Sequence, residues 1–137
     1  MRLDNAPVLD LLRQALGYHS DRQKVIAENV ANANTPGYTP SDIPMSEFER
    51  ALQGQTAQAP RAGLSVTQAG HIEGSPAPNR SFRAQSAPDT ETTIDGNAVV
   101  LEEQMVRANE NRMRYETAMG LYQKSLQLIR MAVRPPQ

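Results

Sequence analysis

The chain has 137 residues, with 14 Lys and Arg against 15 Asp and Glu, two His, no Cys and no Trp. Near-balanced charge without a Lys/Arg cluster excludes the electrostatic footprint of a nucleic-acid or anionic-membrane binder, and the lack of Cys excludes disulfides and thiolate chemistry. Two Phe and four Tyr against ten Pro and eight Gly leave few of the large apolar groups that dominate burial, and these gather toward the two ends.

In chain order, Arg2, Asp4, Pro7, Asp10 and Arg13 interrupt every apolar run before Leu16, so neither a signal-peptide core nor a membrane span is expected there. If the protein is exported, a route without a cleaved signal must carry it. From Val8 to Asn32 the spacing predicts an amphipathic helix: Leu9, Leu12, Leu16, His19, Gln23, Ile26 and Val30 recur at alternating three- and four-residue steps, an a/d heptad seam that Ala33 continues. Val8, Leu11, Ala15 and Val25 widen this face, Gly17 weakens the helix by up to ~1 kcal/mol relative to Ala, and Asn34-Thr35-Pro36-Gly37 stops it. A short helix is expected between Ser41 and Gln53, with Met45, Phe48, Glu49 and Leu52 on one face.

Gln53 to Thr93 is rich in Gln, Ala, Ser, Thr, Pro and Gly and cannot bury enough surface to offset the entropy of ordering, so it is expected to be disordered or extended in the isolated chain. Leu64 to Thr67 and His71-Ile72 are short strand candidates within it. Asp95-Gly96-Asn97 then supplies a turn, with Asn97 placed to cap a long final helix. In that helix Leu101, Met105, Ala108, Arg112, Tyr115, Met119, Tyr122, Leu126, Ile129 and Val133 repeat the 4, 3 step, Glu102 and Glu103 sit at the positive end of the dipole, and Pro135-Pro136 closes it. The fold expected is mainly α, an antiparallel coiled coil of N- and C-terminal amphipathic helices. Its divisions are 1–34 for the first helix, 35–53 for the turn and short helix, 54–96 for the extended middle and 97–137 for the last helix. Two helices make a thin core, and the apolar residues left over are expected to face helices of other chains.

No catalytic constellation is present: His19 and His71 have no metal-ligand spacing, no phosphate loop or nucleophile elbow occurs, and Glu102-Glu103 fits a helix-dipole role. No enzyme activity, cofactor or metal is expected. A peptidoglycan hydrolase would need a carboxylate pair in a folded cleft. A soluble helical adaptor or export chaperone, binding one partner through its apolar faces, is the alternative from another class.

The octapeptide Ala31-Asn32-Ala33-Asn34-Thr35-Pro36-Gly37-Tyr38 is more elaborate than a helix stop requires. Asn satisfies helix-end backbone groups, Pro36 fixes φ, Gly37 permits positive φ, and Tyr38 can fold back on the helix. It resembles the ANxxTPGY signature of the bacterial flagellar axial proteins, the rod and hook family. The lead-in Arg22 to Val30, and at the other end Asp95 to Asn97, Leu101 to Met105 and Asn111 to Tyr115, resemble the proximal rod (FlgB) family in particular.

That resemblance implies a structural subunit whose end helices pack into a helical tube, with the middle ordered on assembly. It implies a periplasmic rod in the flagellar basal body and export by the flagellar type III system. The partners it implies are further copies, the rod protein FlgC, FliE and the MS ring protein FliF. The seam positions expected to carry assembly are Leu12, Leu16, Ile26, Val30, Leu101, Met105, Tyr115, Met119, Leu126 and Ile129. Phe48 and Leu52 fit an FxxxΦ pattern resembling an export-gate signal, and equally an i,i+4 apolar pair on a short helix.

Overall fold

A computed structural model of the chain describes residues 7–56 and 82–133. It contains α1 over Pro7–Ala31, β1 over Ser41–Asp42, α2 over Met45–Thr56, β2 over Gln85–Ser86 and α3 over Leu101–Val133. The strand candidates at Leu64 to Thr67 and His71-Ile72 lie outside the described residues. Pro7 opens α1 where its missing N–H costs nothing and its fixed φ suits the helix. With 33 residues α3 is about 50 Å long.

The two long helices run antiparallel, because hydrogen bonds climb one as they descend the other: Asn29 reaches Gln104, Gln23 and His19 reach Asn111, and Arg13 reaches Tyr122. The face that α3 turns inward differs from the heptad expectation. Gln104, Asn111 and Ala118, each seven residues apart, are buried, whereas Met105 is 64% exposed, Leu101 is exposed, and Arg112 lies in solvent paired with Glu116. Toward the C-terminus the two registers converge, with Tyr115, Met119, Tyr122, Leu126 and Ile129 half-buried. On α1, Leu9, His19 and Ile26 are buried and Leu12 and Leu16 half-buried, but Gln23 and Val30 are exposed, and Gln14, Tyr18 and Asn29 take inward places. Apolar periodicity cannot register an interface built from amides, so the count settles on the neighbouring stripe.

A small aromatic core lies on the other side of α1. Tyr18, Ile43 and Phe48 are buried together, and Ala15, Val25, Leu52 and Phe82 pack against them. Both Phe residues of the chain are in this cluster, with ring centroids 5.4 Å (Phe48) and 5.3 Å (Phe82) from Tyr18, the latter edge-on. The Tyr18 hydroxyl donates to the Ile43 carbonyl at 2.8 Å. On α2 the expected face shifts by part of a turn: Glu47 and Phe48 are buried, while Met45 and Glu49 are exposed.

The C-terminal part of the segment expected to be extended is tied down. Ser41 pairs with Ser86 and Asp42 with Gln85 in an antiparallel two-strand ladder. Ala87 N–H donates to the Pro40 carbonyl and Asp89 N–H to the Ala98 carbonyl. The Arg22 guanidinium grips the Asp42 carboxylate through two bonds of 2.7 Å, fixing the ladder to α1. Bidentate geometry and partial burial make this pair stronger than an ordinary surface ion pair.

Candidate functional site: a polar junction at the end of the hairpin

Where α1 ends, the octapeptide is stapled to the start of α3. Asn32 N–H shares the carbonyls of Glu28 and Asn29, and its side-chain amide returns to the Glu28 carbonyl, so the last turn of α1 is closed locally. Thr35 N–H donates to the Asn32 carbonyl and Tyr38 N–H to the Thr35 carbonyl, forming the turn around Pro36 and Gly37. Gly37 takes φ 70° and donates its N–H to the Asp95 carbonyl, while Gly96 takes φ 81°. A Cβ on Gly96 would stand 3.5 Å from the Gly37 Cα, so the two turns pack back to back at positions that suit glycine.

Asn97 does not cap α3, contrary to the sequence expectation. Its amide donates across the junction to the carbonyls of Asn32 (2.9 Å) and Thr35 (2.7 Å), and its own oxygen accepts the Val99 N–H. The Val100 N–H at the head of α3 is taken instead by the Asp89 carboxylate at 2.8 Å, which places an anion at the positive end of the helix dipole. Asp89 also accepts from Gln104 Nε2 and stands 2.8 Å from Arg107, so a fully buried carboxylate is compensated on every side.

At the centre lies Asn29, with no exposed surface. Its NH2 group donates to the Ser41 carbonyl (2.7 Å) and to Gln104 Oε1 (3.0 Å), and its oxygen accepts from the Tyr38 hydroxyl (3.1 Å) and the Ser41 N–H (3.0 Å). All four hydrogen-bonding positions of the amide are used. One side chain thereby joins α1, the octapeptide, β1 and α3. Of the motif residues, Asn32 and Tyr38 are drawn into the junction, whereas Ala31, Asn34, Thr35, Pro36 and Gly37 present side chains or backbone at the surface.

Midway along the hairpin Asn111 donates to the His19 carbonyl and to Gln23 Oε1, which leaves its oxygen to accept from His19 Nδ1 at 2.8 Å. The neutral imidazole therefore carries its proton on Nδ1. Burial pushes the His19 pKa below 6.5, the Asn111 bond opposes this, and Arg114 and Arg22 add to the lowering. The folded state then binds fewer protons than the unfolded state just below neutrality. The stability from neutral His19 is present above the unfolded value and is lost as pH falls through the lowered one. Urea midpoints measured from about pH 8 to about pH 5 should therefore fall for the native chain, and the fall should be shallower in His19→Gln.

Among the described residues no group of three His, Asp or Glu is placed to hold a metal, and no helix is long and apolar enough to cross a membrane. Phe48 and Leu52 sit at the aromatic core, Phe48 buried and Leu52 half-buried. The sequence expectations passed over Tyr18 and Asp89 and gave Asn97 a different part. Asn29 entered them as a helix-end residue, and Gln104 and Asn111 only through family resemblance.

These features define a mainly helical protein built on an antiparallel hairpin, with the octapeptide turn stapled to the head of its second long helix. Residues 9–39 match the family described as flagella basal body rod protein. The chain is 32% identical over 125 residues to the flagellar basal body rod protein FlgB of Salmonella typhimurium, an alignment covering 88% of this chain and 85% of that protein. It is 31% identical over 121 residues to FlgB of Yersinia enterocolitica (85% and 84% covered), and 27% identical over 129 residues to FlgB of Agrobacterium fabrum (93% and 92%). The chain belongs to the FlgB family of flagellar basal body rod proteins, and is a structural component of the rod, not an enzyme.

Proposed function

We propose that the chain is a proximal rod subunit that assembles through intermolecular helix packing, joins the MS ring and export apparatus to the rest of the axial drive shaft, and transmits torque. The observation that carries this reading is the apolar surface left uncovered when the hairpin closes. Val30, Leu101 and Met105 were expected at a seam, yet they lie 41%, 43% and 64% exposed near the junction end. A rod neighbour that covers the exposed half of each side chain gains roughly 1 kcal/mol per residue. FlgC, FliE and FliF are the neighbours proposed, alongside further copies of the chain, and passage to the periplasmic rod is proposed to run through the flagellar type III apparatus.

Met105→Asp tests the assembly role without threatening the hairpin, because the side chain is exposed in the free protein. Its melting temperature should match the native chain, while cells carrying it should lose motility and yield basal bodies without a rod. Normal swimming would remove Met105 from the interface. An adaptor or export chaperone would instead leave the completed rod free of the protein.

Phe48 and Leu52 are proposed to act as an export signal read while the chain is unfolded, since in the folded protein Phe48 is covered by Tyr18. Phe48→Ala should lower secretion at an unchanged cellular level. A parallel fall in cellular level would assign the loss to the core, where such a truncation costs about 3–5 kcal/mol.

A further inference from the structure

The outer face of α3 carries a second apolar stripe, separate from the seam. Val106, Met113, Leu121 and Leu128 lie there, each more than half exposed at 58, 61, 52 and 56%. Glu110, Thr117 and Lys124 fill the gaps, also exposed. The steps along this face run 4, 3, 4 from Val106 to Thr117 and again 4, 3, 4 from Thr117 to Leu128. Each half spans eleven residues, or three helical turns, so the stripe stays on one side of a straight helix.

The pattern reads the same in both directions about Thr117, and its chemistry is complementary under that reversal. Val106 is matched with Leu128, Met113 with Leu121, and acidic Glu110 with basic Lys124. Neither charged residue joins a direct ion pair among the described residues, although Glu110 acts on the Arg22 guanidinium at longer range. At the midpoint the Thr117 hydroxyl is already satisfied by the Met113 carbonyl of its own helix, so it presents a small surface. Gly120 is beside it on an exposed turn where an added Cβ would meet nothing within 4 Å. A glycine weakens a helix interior and meets no close neighbour here among the described residues, but it lets a neighbouring helix approach closely.

We propose that the free chain forms an antiparallel dimer with a second copy, the outer faces of the two α3 helices crossing at Thr117 on a two-fold axis. An isologous contact of this kind is closed, because each copy uses the same patch on the other and offers nothing further to a third. Pairing in this way covers the stripe without starting an open chain of subunits. The stripe from Val106 to Leu128 is only about 34 Å long, short of what a standard-size interface requires, so the dimer is weak and readily reversed. This inference stands apart from the rod assignment, and its failure would leave that assignment in place.

Sedimentation of the full chain over rising concentration should show a reversible monomer–dimer equilibrium. Lys124→Glu sets two carboxylates against each other in both symmetric pairs and should weaken dimerisation about tenfold, as should Glu110→Lys. The double variant carrying both changes should regain native affinity, a rescue that parallel pairing does not give. Because the chain has no Cys, Thr117→Cys should oxidise quickly to a covalent dimer. Met113→Cys should do so only when mixed with Leu121→Cys. A monomer at every concentration, open-ended oligomers, or equal crosslinking rates for Thr117→Cys and Met113→Cys alone would each overturn the proposal.

Discussion

Replacing Asn29 by Ala should lower the stability of the free chain by about 3 kcal/mol and its melting temperature by on the order of 10 °C, measured by far-UV circular dichroism. The amide occupies a site with no solvent exposure and satisfies four partners at once. Truncation strands Gln104 Oε1, which is itself fully buried, and frees the Ser41 N–H and carbonyl and the Tyr38 hydroxyl, groups that water reaches only in part. An unsatisfied buried group costs more than the net value of the bond it lost, which is why one small side chain carries so large an effect. Asn29→Asp should be at least as damaging despite its shape. The new carboxylate has no hydrogen to offer the Ser41 carbonyl or Gln104 Oε1, and Gln104 cannot turn its amide round to help, because its NH2 group is held by the Asp89 carboxylate. Tyr38→Phe removes a single donor and should cost only about 1 kcal/mol. If Asn29→Ala melted no lower than Tyr38→Phe, the junction would be a surface ornament on a fold held elsewhere.

The helices and the turn between them were legible because they are written in apolar spacing and in backbone-restricting residues. Leu9, Ile26 and the half-buried series from Tyr115 to Ile129 repeat at helical steps, and Pro36 and Gly37 stop α1 where the chain must reverse. Which stripe of α3 faces inward was not legible at its N-terminal half. Gln104 and Asn111 look like solvent-facing residues in sequence and become core residues only because Asn29, His19 and Gln23 on α1 supply matching donors and acceptors. Such a match depends on the registry of two segments some seventy to ninety residues apart, which no local pattern encodes. Asn97 failed as an expected helix cap for the same reason, since the carbonyls it serves belong to Asn32 and Thr35. The order of the segment from Phe82 to Ile94 was hidden by its composition. It is held by backbone pairing with β1 and by one buried carboxylate, Asp89, and needs few large apolar groups of its own.

Tyr18→Ala should cost about 4 kcal/mol, and its effect should be uneven along the chain. The ring is the piece of α1 on which Phe48 of α2 and Phe82 from the far side of the ladder both rest, and its hydroxyl is the partner of the Ile43 carbonyl. Removing it opens a cavity and takes away the surface that holds α2, leaving the Arg22–Asp42 pair and the two Asn29 bonds to Ser41 as the side-chain ties between α1 and the ladder. The α1–α3 hairpin keeps the hydrogen bonds of the Asn29 and Asn111 networks, although His19 loses the Tyr18 ring packed edge-on against it. Hydrogen exchange should therefore show amides of α2 and of β1 and β2 losing protection first, while those of α1 near Asn29 and of α3 near Gln104 stay slow, because segments with few buried contacts open before the unit they rest on. Tyr18→Phe keeps the packing and orphans only the Ile43 carbonyl, so it should cost about 1–2 kcal/mol with α2 still protected. Uniform loss of protection in Tyr18→Ala would mean that the aromatic core and the hairpin fold as a single cooperative unit. The polar junction would then depend on Phe48 and Phe82 as much as on its own hydrogen bonds.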